Sequence, residues 1–131
     1  MKEIKLQASL TKECLVTKEL LASSVGSGIV DVYATPMMIA LMENTAATLL
    51  SQFLDEDETS VGIAIHATHD AATPLGMKVW AHAEIVEVDR KRVVFQIEAR
   101  DEKERISTAT HERFIVNKEK FEAKAKSKAQ N

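Results

Sequence analysis

The stretch ATPMMIALMENTAATLL, residues 34–50, predicts one long helix that carries little charge. Thr35 is a good N-cap residue, and Pro36 suits the first helical position, where its missing N–H removes no hydrogen bond. We predict that the helix begins there and runs to about Leu54, before the acidic loop DEDETS at 55–60. Because so apolar a helix must bury one side, a second layer has to cover it.

After this helix the hydrophobic pattern changes to a period of two, which is typical of β-strands. Polar turns separate four strand-like segments, at residues 60–72, 77–88, 93–99 and 106–117. A further strand is predicted at 9–17, ahead of the glycine-containing loop SSVGSG at 23–28. Because short turns join successive strands, the sheet is expected to be antiparallel. The predicted fold class is α+β, with one antiparallel sheet wrapped around one long central helix.

Length and composition place the chain among single-domain proteins. It has 131 residues, of which 45% are hydrophobic, and we expect one domain over residues 1–131 with a Lys-rich, solvated helical tail at 118–131. The net charge of -3 does not favour nucleic-acid binding, and no stretch reaches the roughly 20 apolar residues of a membrane span. The single Cys14 and the absence of a signal-peptide pattern indicate a reducing, cytoplasmic location.

Glu43 interrupts the apolar face of the predicted helix. At about 100° per residue, a wheel centred on Glu43 places apolar residues on its own side and polar residues opposite. The apolar set is Ile39, Ala40, Ala46, Ala47, Leu50 and Leu54, and the polar set is Asn44, Thr45, Thr48, Ser51 and Gln52. A buried carboxylate is unfavourable unless it is paired or protonated. This position therefore indicates either a functional site or a rim glutamate that reaches water.

The first strand after the helix contains two histidines and a glycine. One parity, predicted to face the core, consists of Val61, Ile63, Ile65, Ala67 and His69. His69 ends this row and is expected near the helix, either as a general base beside a carboxylate or as a core histidine bonded to a backbone carbonyl. His66 is expected to point outward. Gly62 indicates a bulge, the close approach of a ligand, or space for a neighbour such as Trp80.

Other polar residues give weaker signals. A zinc site is not expected, because His66 and His69 have opposite parity and no further ligands complete a tetrahedron. Arg113 shares its parity with His111 and could hold a carboxylate or phosphate, or form a surface ion pair. Thr35 could cap the helix and also offer its hydroxyl group to a pocket at the helix start, where free N–H groups suit a developing oxyanion.

Three blocks of the sequence resemble the hot-dog-fold thioesterases, most closely the fluoroacetyl-CoA thioesterase family. They are VYATPMMIALMENTA at 32–46, VGIAIHATHDAATPLG at 61–76 and THERFIVNKEKFEAK at 110–124. The resemblance implies a hot-dog fold, a homodimer or higher homo-oligomer, and hydrolysis of acyl-CoA without a separate cofactor, coenzyme A being part of the substrate. It implies Thr35, Glu43 and His69 as catalytic residues, with Gly62 and Arg113 lining the thioester site.

One segment departs from that family pattern. The fluoroacetyl-specific enzyme has a longer lid with aromatic residues before the helix, whereas SSVGSGIVDVY at 23–33 is short and lacks phenylalanine. The resemblance therefore predicts a small acyl-CoA thioesterase and leaves its acyl preference open.

The hypothesis for the mechanism assigns one role to each of these groups. The thioester carbonyl lies near Gly62 and the helix start, Glu43 attacks it or orients water, and His69 acts as general base on the water. Thr35 holds Glu43 or the substrate. A CoA-linked dehydratase and a non-catalytic acyl-CoA binding protein are the alternatives.

Overall fold

One curved antiparallel sheet and a long helix make up most of the structure. The computed structural model describes residues 1–130, so Asn131, the last residue of the predicted tail, lies outside the described residues. In chain order the elements are β1 (Ser9–Leu15), α1 (Ala22–Val25), α2 (Thr35–Ser51), β2 (Glu58–Ala67), β3 (Lys78–Asp89), β4 (Arg92–Asp101), β5 (Arg105–Asn117) and α3 (Lys118–Ser127). A short 3-10 turn, Lys18–Leu20, precedes α1.

The strand order within residues 1–130 is β1-β3-β4-β5-β2, and each neighbouring pair is antiparallel. Short hairpins join β3 to β4 and β4 to β5, as the polar turns predict. The strands β1 and β2 form the two edges, and α2 packs across β1, β2, β3 and β4. The predicted α+β class, with a sheet wrapped around one long helix, is therefore confirmed.

The core lies between α2 and the concave face of the sheet. From the helix it takes Met38, Met42, Leu49 and Leu50, all at most 1% exposed. From the sheet it takes fully buried aliphatic and aromatic side chains, among them Ile85, Phe95 and Ile97. Burial of each such side chain contributes about 1.5–3 kcal/mol to stability, so the contact between α2 and the sheet is the main source of the stability of the fold.

The buried side of α2 differs from the side that the helical wheel predicts. It is centred on Met42, about 100° around the helix from Glu43. Thr45, which the wheel places on the polar side, is fully buried, and its hydroxyl group is satisfied by donating to Leu41 O at 2.7 Å. Ala40, which the wheel places on the apolar side, is exposed. Glu43 therefore lies at the border of the core, half-buried, and not at the centre of the buried face.

The ends of α2 also differ from the prediction. The N-cap is Ala34, and Thr35 is the first helical residue with no capping hydrogen bond from its side chain. At the other end the helix stops at Ser51, and the chain turns through Gln52 and Phe53, earlier than the predicted Leu54. Thr35 thus leaves its hydroxyl group available for another partner.

The C-terminal segment forms the solvated helix that its composition predicts. Asn117 caps α3 by accepting a hydrogen bond from Lys120 N at 3.0 Å, and no residue of α3 is buried. Across residues 1–130, no helix has both the length and the apolar character needed to cross a membrane.

Candidate active site

Gly62 lies at a bulge in β2. The pairing of β2 with β5 shifts between Gly62 and Ala64, so one residue of β2 is left without a partner. Gly62 pairs with Arg113 on one side of the shift, and Ile65 pairs with His111 on the other. A bulge, one of the three alternatives that the sequence left open for Gly62, is therefore present.

The bulge reverses the parity that simple alternation predicts for the first half of the strand. Gly62 faces the helix, whereas Ile63 is 51% exposed, so the predicted inward row is wrong at Ile63. Beyond the bulge the prediction holds, since Ile65 is half-buried and packs against the core while His66 is exposed. A single extra residue inverts every position on one side of it, which a strict period of two does not anticipate.

Gly62 allows three charged or polar side chains to meet at the strand. A Cβ atom built on Gly62 would lie 2.9 Å from Glu43 Oε2, 3.2 Å from His111 Cε1 and 3.4 Å from Arg113 Nη1. The first distance is too short for any real side chain, so only glycine permits the Glu43 carboxylate to lie this close to the β2 backbone. Trp80, the neighbour considered from the sequence, is not among the atoms nearest to Gly62.

Arg113 is held in a fixed direction by hydrogen bonds. It is 8% exposed, its Nε donates to Ser60 Oγ at 2.8 Å, and its Nη2 donates to Ser60 O at 2.9 Å. Its Nη1 donates to His111 Nε2 at 3.2 Å. Burial lowers the pKa of Arg113, whereas the nearby Glu43 carboxylate raises it. Arg113 is therefore a buried cation near Glu43 and not a surface ion pair, and among residues 1–130 it forms no hydrogen bond or ion pair with that carboxylate.

Thr35 and His69 form a second group at the start of α2. Thr35 Oγ1 lies 2.6 Å from His69 Nδ1, so the threonine holds the imidazole and not Glu43. Within residues 1–130, His69 Nε2 is buried without a hydrogen-bond partner. Burial lowers the pKa of His69, and the Asp70 carboxylate partly opposes that effect. A neutral imidazole with an unpaired buried nitrogen is suited to act on a water or a substrate atom.

A cavity of about 330 Å³ opens beside the Thr35–His69 pair. Its walls come from the loop before α2 and from the loop after β2, and they include Gly28, Val30, Tyr33 and Ala71. Small side chains on both loops leave this volume accessible next to the imidazole.

The two groups are separate within one chain. Thr35 and Glu43 are eight positions apart on α2, which corresponds to about 12 Å of axial rise. Among the described residues, the imidazole that shares the space around Gly62 with Glu43 is that of His111, and His69 makes no hydrogen bond to Glu43. The expected adjacency of Glu43 and His69 is therefore not found within a single chain.

The start of α2 offers fewer free donors than expected. Pro36 has no N–H, and the N–H groups of Met37 and Met38 both donate to Ala34 O at 3.0 Å. Gly62 also lies beside Glu43, two turns along the helix from this end. The guanidinium group of Arg113 is the better placed donor near Gly62, because only three of its five N–H groups are used within residues 1–130.

The sequence did not single out His111 and Ser60, although both belong to the site. The signal for His111 was its parity with Arg113, which predicts that the two side chains share the inner face of one strand. Ser60 had no signal, because only the register of β2 against β5 brings it beside Arg113. Among residues 1–130, no group of three or more His, Cys, Asp or Glu side chains is arranged to hold a metal ion.

Comparison with known proteins matches most of the chain to one family. Residues 16–119 match the fluoroacetyl-CoA-specific thioesterase family. The fluoroacetyl-CoA thioesterase of Streptantibioticus cattleyicolor is 39% identical over 98 residues, which cover 75% of this chain and 70% of that protein.

Solved structures agree over almost the whole chain. A crystal structure of a fluoroacetyl-CoA thioesterase superposes with a TM-score of 0.92 at 30% identity, covering 97% of this chain and 98% of that one. A thioesterase superfamily member from Thermus thermophilus superposes with a TM-score of 0.91, also at 30% identity, covering 99% and 96%. The hot-dog fold expected from the resemblance is thereby confirmed. Shared sequence along most of the chain, together with the same fold, leads to one conclusion: the chain belongs to the fluoroacetyl-CoA-specific thioesterase family.

Proposed function

We propose that this protein hydrolyses small acyl-CoA thioesters with the groups that converge on Gly62 and with the Thr35–His69 pair. Thioester hydrolysis itself follows from the family and from the 39% identical fluoroacetyl-CoA thioesterase. The observation that carries the assignment of the site is the close approach of Glu43 to Gly62, 2.9 Å from where a Cβ would lie. A carboxylate and a buried guanidinium group beside bare backbone form a site for an electrophilic carbonyl group.

Glu43 supplies the nucleophile in this proposal, either directly or through a water molecule. The unused guanidinium N–H groups of Arg113 can donate to the carbonyl oxygen as negative charge develops. In the direct route the carboxylate oxygen adds to the carbonyl carbon, the CoA thiolate leaves, and water hydrolyses the resulting anhydride. In the other route the water attacks the thioester itself.

His69 serves as general base on the hydrolytic water. Its lowered pKa keeps it neutral at physiological pH, and Thr35 fixes the direction of the ring through Nδ1. If Nδ1 carries the proton and donates to Thr35, then Nε2 has a lone pair that can accept a proton from water. The buried and unpaired Nε2 supports this role.

A homodimer would bring the two groups of the site together. The edge strand β2 presents an exposed run, Gly62, Ile63, Ala64 and His66, that can pair with a second copy of itself. An antiparallel pairing with its two-fold axis between Ile65 and His66 sets Gly62 of one copy opposite His69 of the other. Each active site would then combine Glu43 and Arg113 of one chain with Thr35 and His69 of the second.

Mixed dimers test this composite site. Glu43→Gln and His69→Ala are each expected to be inactive alone. After co-refolding, a heterodimer has one doubly altered site and one intact site if the groups come from two chains, so activity returns. If each site belongs to one chain, every site in the heterodimer keeps one defect and activity stays absent. That result, or a monomeric protein with full activity, would disprove the composite site.

A panel of acyl-CoA thioesters tests the function. Thiol release is expected for short acyl chains, and Glu43→Gln is expected to reduce kcat by about 100-fold or more, because the nucleophile or its orienting group is lost. After a single turnover in ¹⁸O-water, label in the Glu43 carboxylate would show the anhydride route, because that oxygen enters only when water attacks the Glu43 carbonyl carbon of the anhydride. Tight binding of acyl-CoA without any thiol release would instead indicate a binding protein.

The remaining parts of the proposal concern the location of the protein, its need for a cofactor and its number of domains. We propose a cytoplasmic enzyme, supported by the free thiol of Cys14, that needs no cofactor besides the CoA of its substrate. One domain over residues 1–131 is supported by the single sheet that links the strands from β1 to β5.

A further inference from the structure

His111 has a buried position that the proposed reaction does not explain. It is 1% exposed and lies on the inner face of β5, with its ring centroid 6.0 Å from that of Phe95. Both ring nitrogens are engaged, since Nδ1 lies 2.8 Å from Ala64 O and Nε2 lies 3.2 Å from Arg113 Nη1. His111 is therefore a fully engaged imidazole beside the carboxylate of the proposed nucleophile, Glu43.

The partners of His111 fix its protonation state. A carbonyl oxygen can only accept, so Nδ1 must carry a proton. A guanidinium group can only donate, so Nε2 must present its lone pair to Arg113. His111 is therefore neutral, with its proton on Nδ1, and cannot take up a second proton without breaking its contact with Arg113.

The backbone of the bulge is what orients His111. Ala64 is the residue at which the β2–β5 pairing resumes after the shift at Gly62. Its carbonyl group binds His111 Nδ1, so the same bulge that admits Glu43 also sets the tautomer of the imidazole. Ser60, before the bulge, holds the other two nitrogens of Arg113.

We infer that His111 is a positioning residue: it receives one N–H of Arg113 and so directs the remaining N–H groups of the guanidinium towards Glu43 and the thioester carbonyl. This inference rests on the proposed function. Without the acceptor at Nε2, the guanidinium group is held by Ser60 alone and can rotate its Nη1 end away from Gly62. The acceptor, and not the aromatic ring, is the part of His111 that matters for catalysis.

A pair of variants separates the two hydrogen bonds. His111→Gln places an amide oxygen near the position of Nε2 and keeps an acceptor for Arg113, but loses the donor to Ala64 O. His111→Asn keeps a donor near Nδ1 and cannot reach Arg113. Both variants lose the ring that packs on Phe95, so they are matched in their effect on the core.

We expect His111→Asn to lower kcat by about 10- to 100-fold with little change in KM, because a displaced guanidinium group stabilises the transition state less well. His111→Gln is expected to keep most of the activity at equal folded concentration. In an Arg113→Lys background, His111→Asn is expected to have little further effect, since the two residues act as a unit. Equal activity of the Asn and Gln variants, or additive effects with Arg113→Lys, would overturn the inference.

The tautomer of His111 can also be tested on the wild-type protein, so this test does not depend on whether the variants fold. ¹⁵N-histidine NMR is expected to show His111 as a neutral ring with a protonated Nδ1 and an unprotonated Nε2. A proton on Nε2 would overturn the inference, whatever the kinetics. A wild-type enzyme that cleaves no acyl-CoA would reject the proposed function, whereas the tautomer would still decide whether His111 accepts from Arg113.

Discussion

Gly62 has only a hydrogen atom where other residues carry a side chain, and this lets neighbouring groups approach the backbone of β2. The Glu43 carboxylate oxygen lies where a Cβ would make contact at 2.9 Å, and His111 and Arg113 lie just beyond. The sequence indicated that something approaches this glycine, but it could not distinguish a ligand from a neighbouring residue. The neighbour is the proposed nucleophile, so the glycine is a requirement of the site as well as of the strand.

Gly62→Ala is expected to lower kcat by about 10- to 100-fold while changing the melting temperature little. The added methyl group displaces the flexible end of Glu43 and leaves the backbone in place, so geometry is lost before stability. Steady-state kinetics and thermal unfolding of the same samples check this. Adding Glu43→Asp, which shortens the carboxylate by one methylene group, is expected to restore part of the activity. A Gly62→Ala enzyme with wild-type kcat would contradict the prediction.

The pH dependence of catalysis is expected to follow His69. Burial lowers its pKa below the usual 6.5, and the Asp70 carboxylate works in the opposite direction by stabilising the imidazolium form. Asp70→Asn removes that stabilisation, so the pKa falls further and the acid limb of kcat/KM moves to lower pH. Asp89→Asn, with the same change in charge at the exposed last residue of β3, serves as control. An acid limb that stays in place or moves upward in Asp70→Asn would contradict this assignment.

At the scale of elements, a clear hydrophobic period predicted where the helices and strands lie in the sequence. It did not predict which side of the helix α2 is buried. The strand at 106–117 became β5, Arg105–Asn117, because alternation and polar turns are local signals. The helix α2 was also predicted, but its buried side lies about 100° from the predicted one, because its apolar residues spread over more than half of the helix circumference. A helix of this kind gains burial in several orientations, and the shape of the sheet selects one.

A buried side-chain hydrogen bond helps to anchor the loop that leads from β2 to β3. Thr73 is fully buried, and its hydroxyl group donates to Asp101 Oδ2 at 2.8 Å. Burial raises the pKa of Asp101, but hydrogen bonds from Lys103 N, Thr73 and Glu104 N lower it more, so the net pKa lies below its usual value. This carboxylate therefore ties the His69-bearing loop to the β4–β5 turn.

Thr73→Val is expected to lower the free energy of unfolding by about 1–3 kcal/mol, because it leaves a buried carboxylate oxygen unpaired. Thr73→Ser keeps the hydroxyl group and serves as control.

The contribution of Asp101 to stability is expected to depend on pH. Since folding lowers the pKa of Asp101, this contribution is present above the unfolded-state pKa of about 3.9 and is lost as the pH falls through the folded-state value. Denaturant titrations at several pH values check both points. Equal stability of Val and Ser variants at pH 7 would contradict the first.

The whole molecule presents an edge strand that is poorly protected. Ile63 is 51% exposed at the bulge of β2, and the segment from Val61 to Ala67 contains no Asp, Glu, Lys or Arg. Natural proteins usually protect such an edge with lysine or proline, unless another chain covers it. The unprotected edge is the feature that a second copy would cover in the proposed dimer.

Ile63→Lys is expected to prevent the proposed dimer from forming and to reduce thioesterase activity in parallel, because the introduced charge cannot be buried at a paired edge. Light scattering across a range of protein concentrations, with activity measured at each, checks the link. Val86→Lys, at a residue of β3 that is 44% exposed and lies away from this edge, is the matched control. A monomeric Ile63→Lys enzyme that keeps full activity would separate catalysis from dimerisation.

The sequence by itself determined the order of the elements and the α+β class. These follow from local patterns: the period of two, the polar turns, and the position of Pro36 at the helix start. Together with the family resemblance, the sequence also indicated part of the candidate site, but not His111 or Ser60. Only the tertiary structure decided which groups meet. The bulge at Gly62 inverts the strand, the sheet selects the face of α2, and the register of β2 against β5 brings His111 and Ser60 to Arg113. The physical reason is that packing and register depend on contacts between residues far apart in the chain, which no local period encodes.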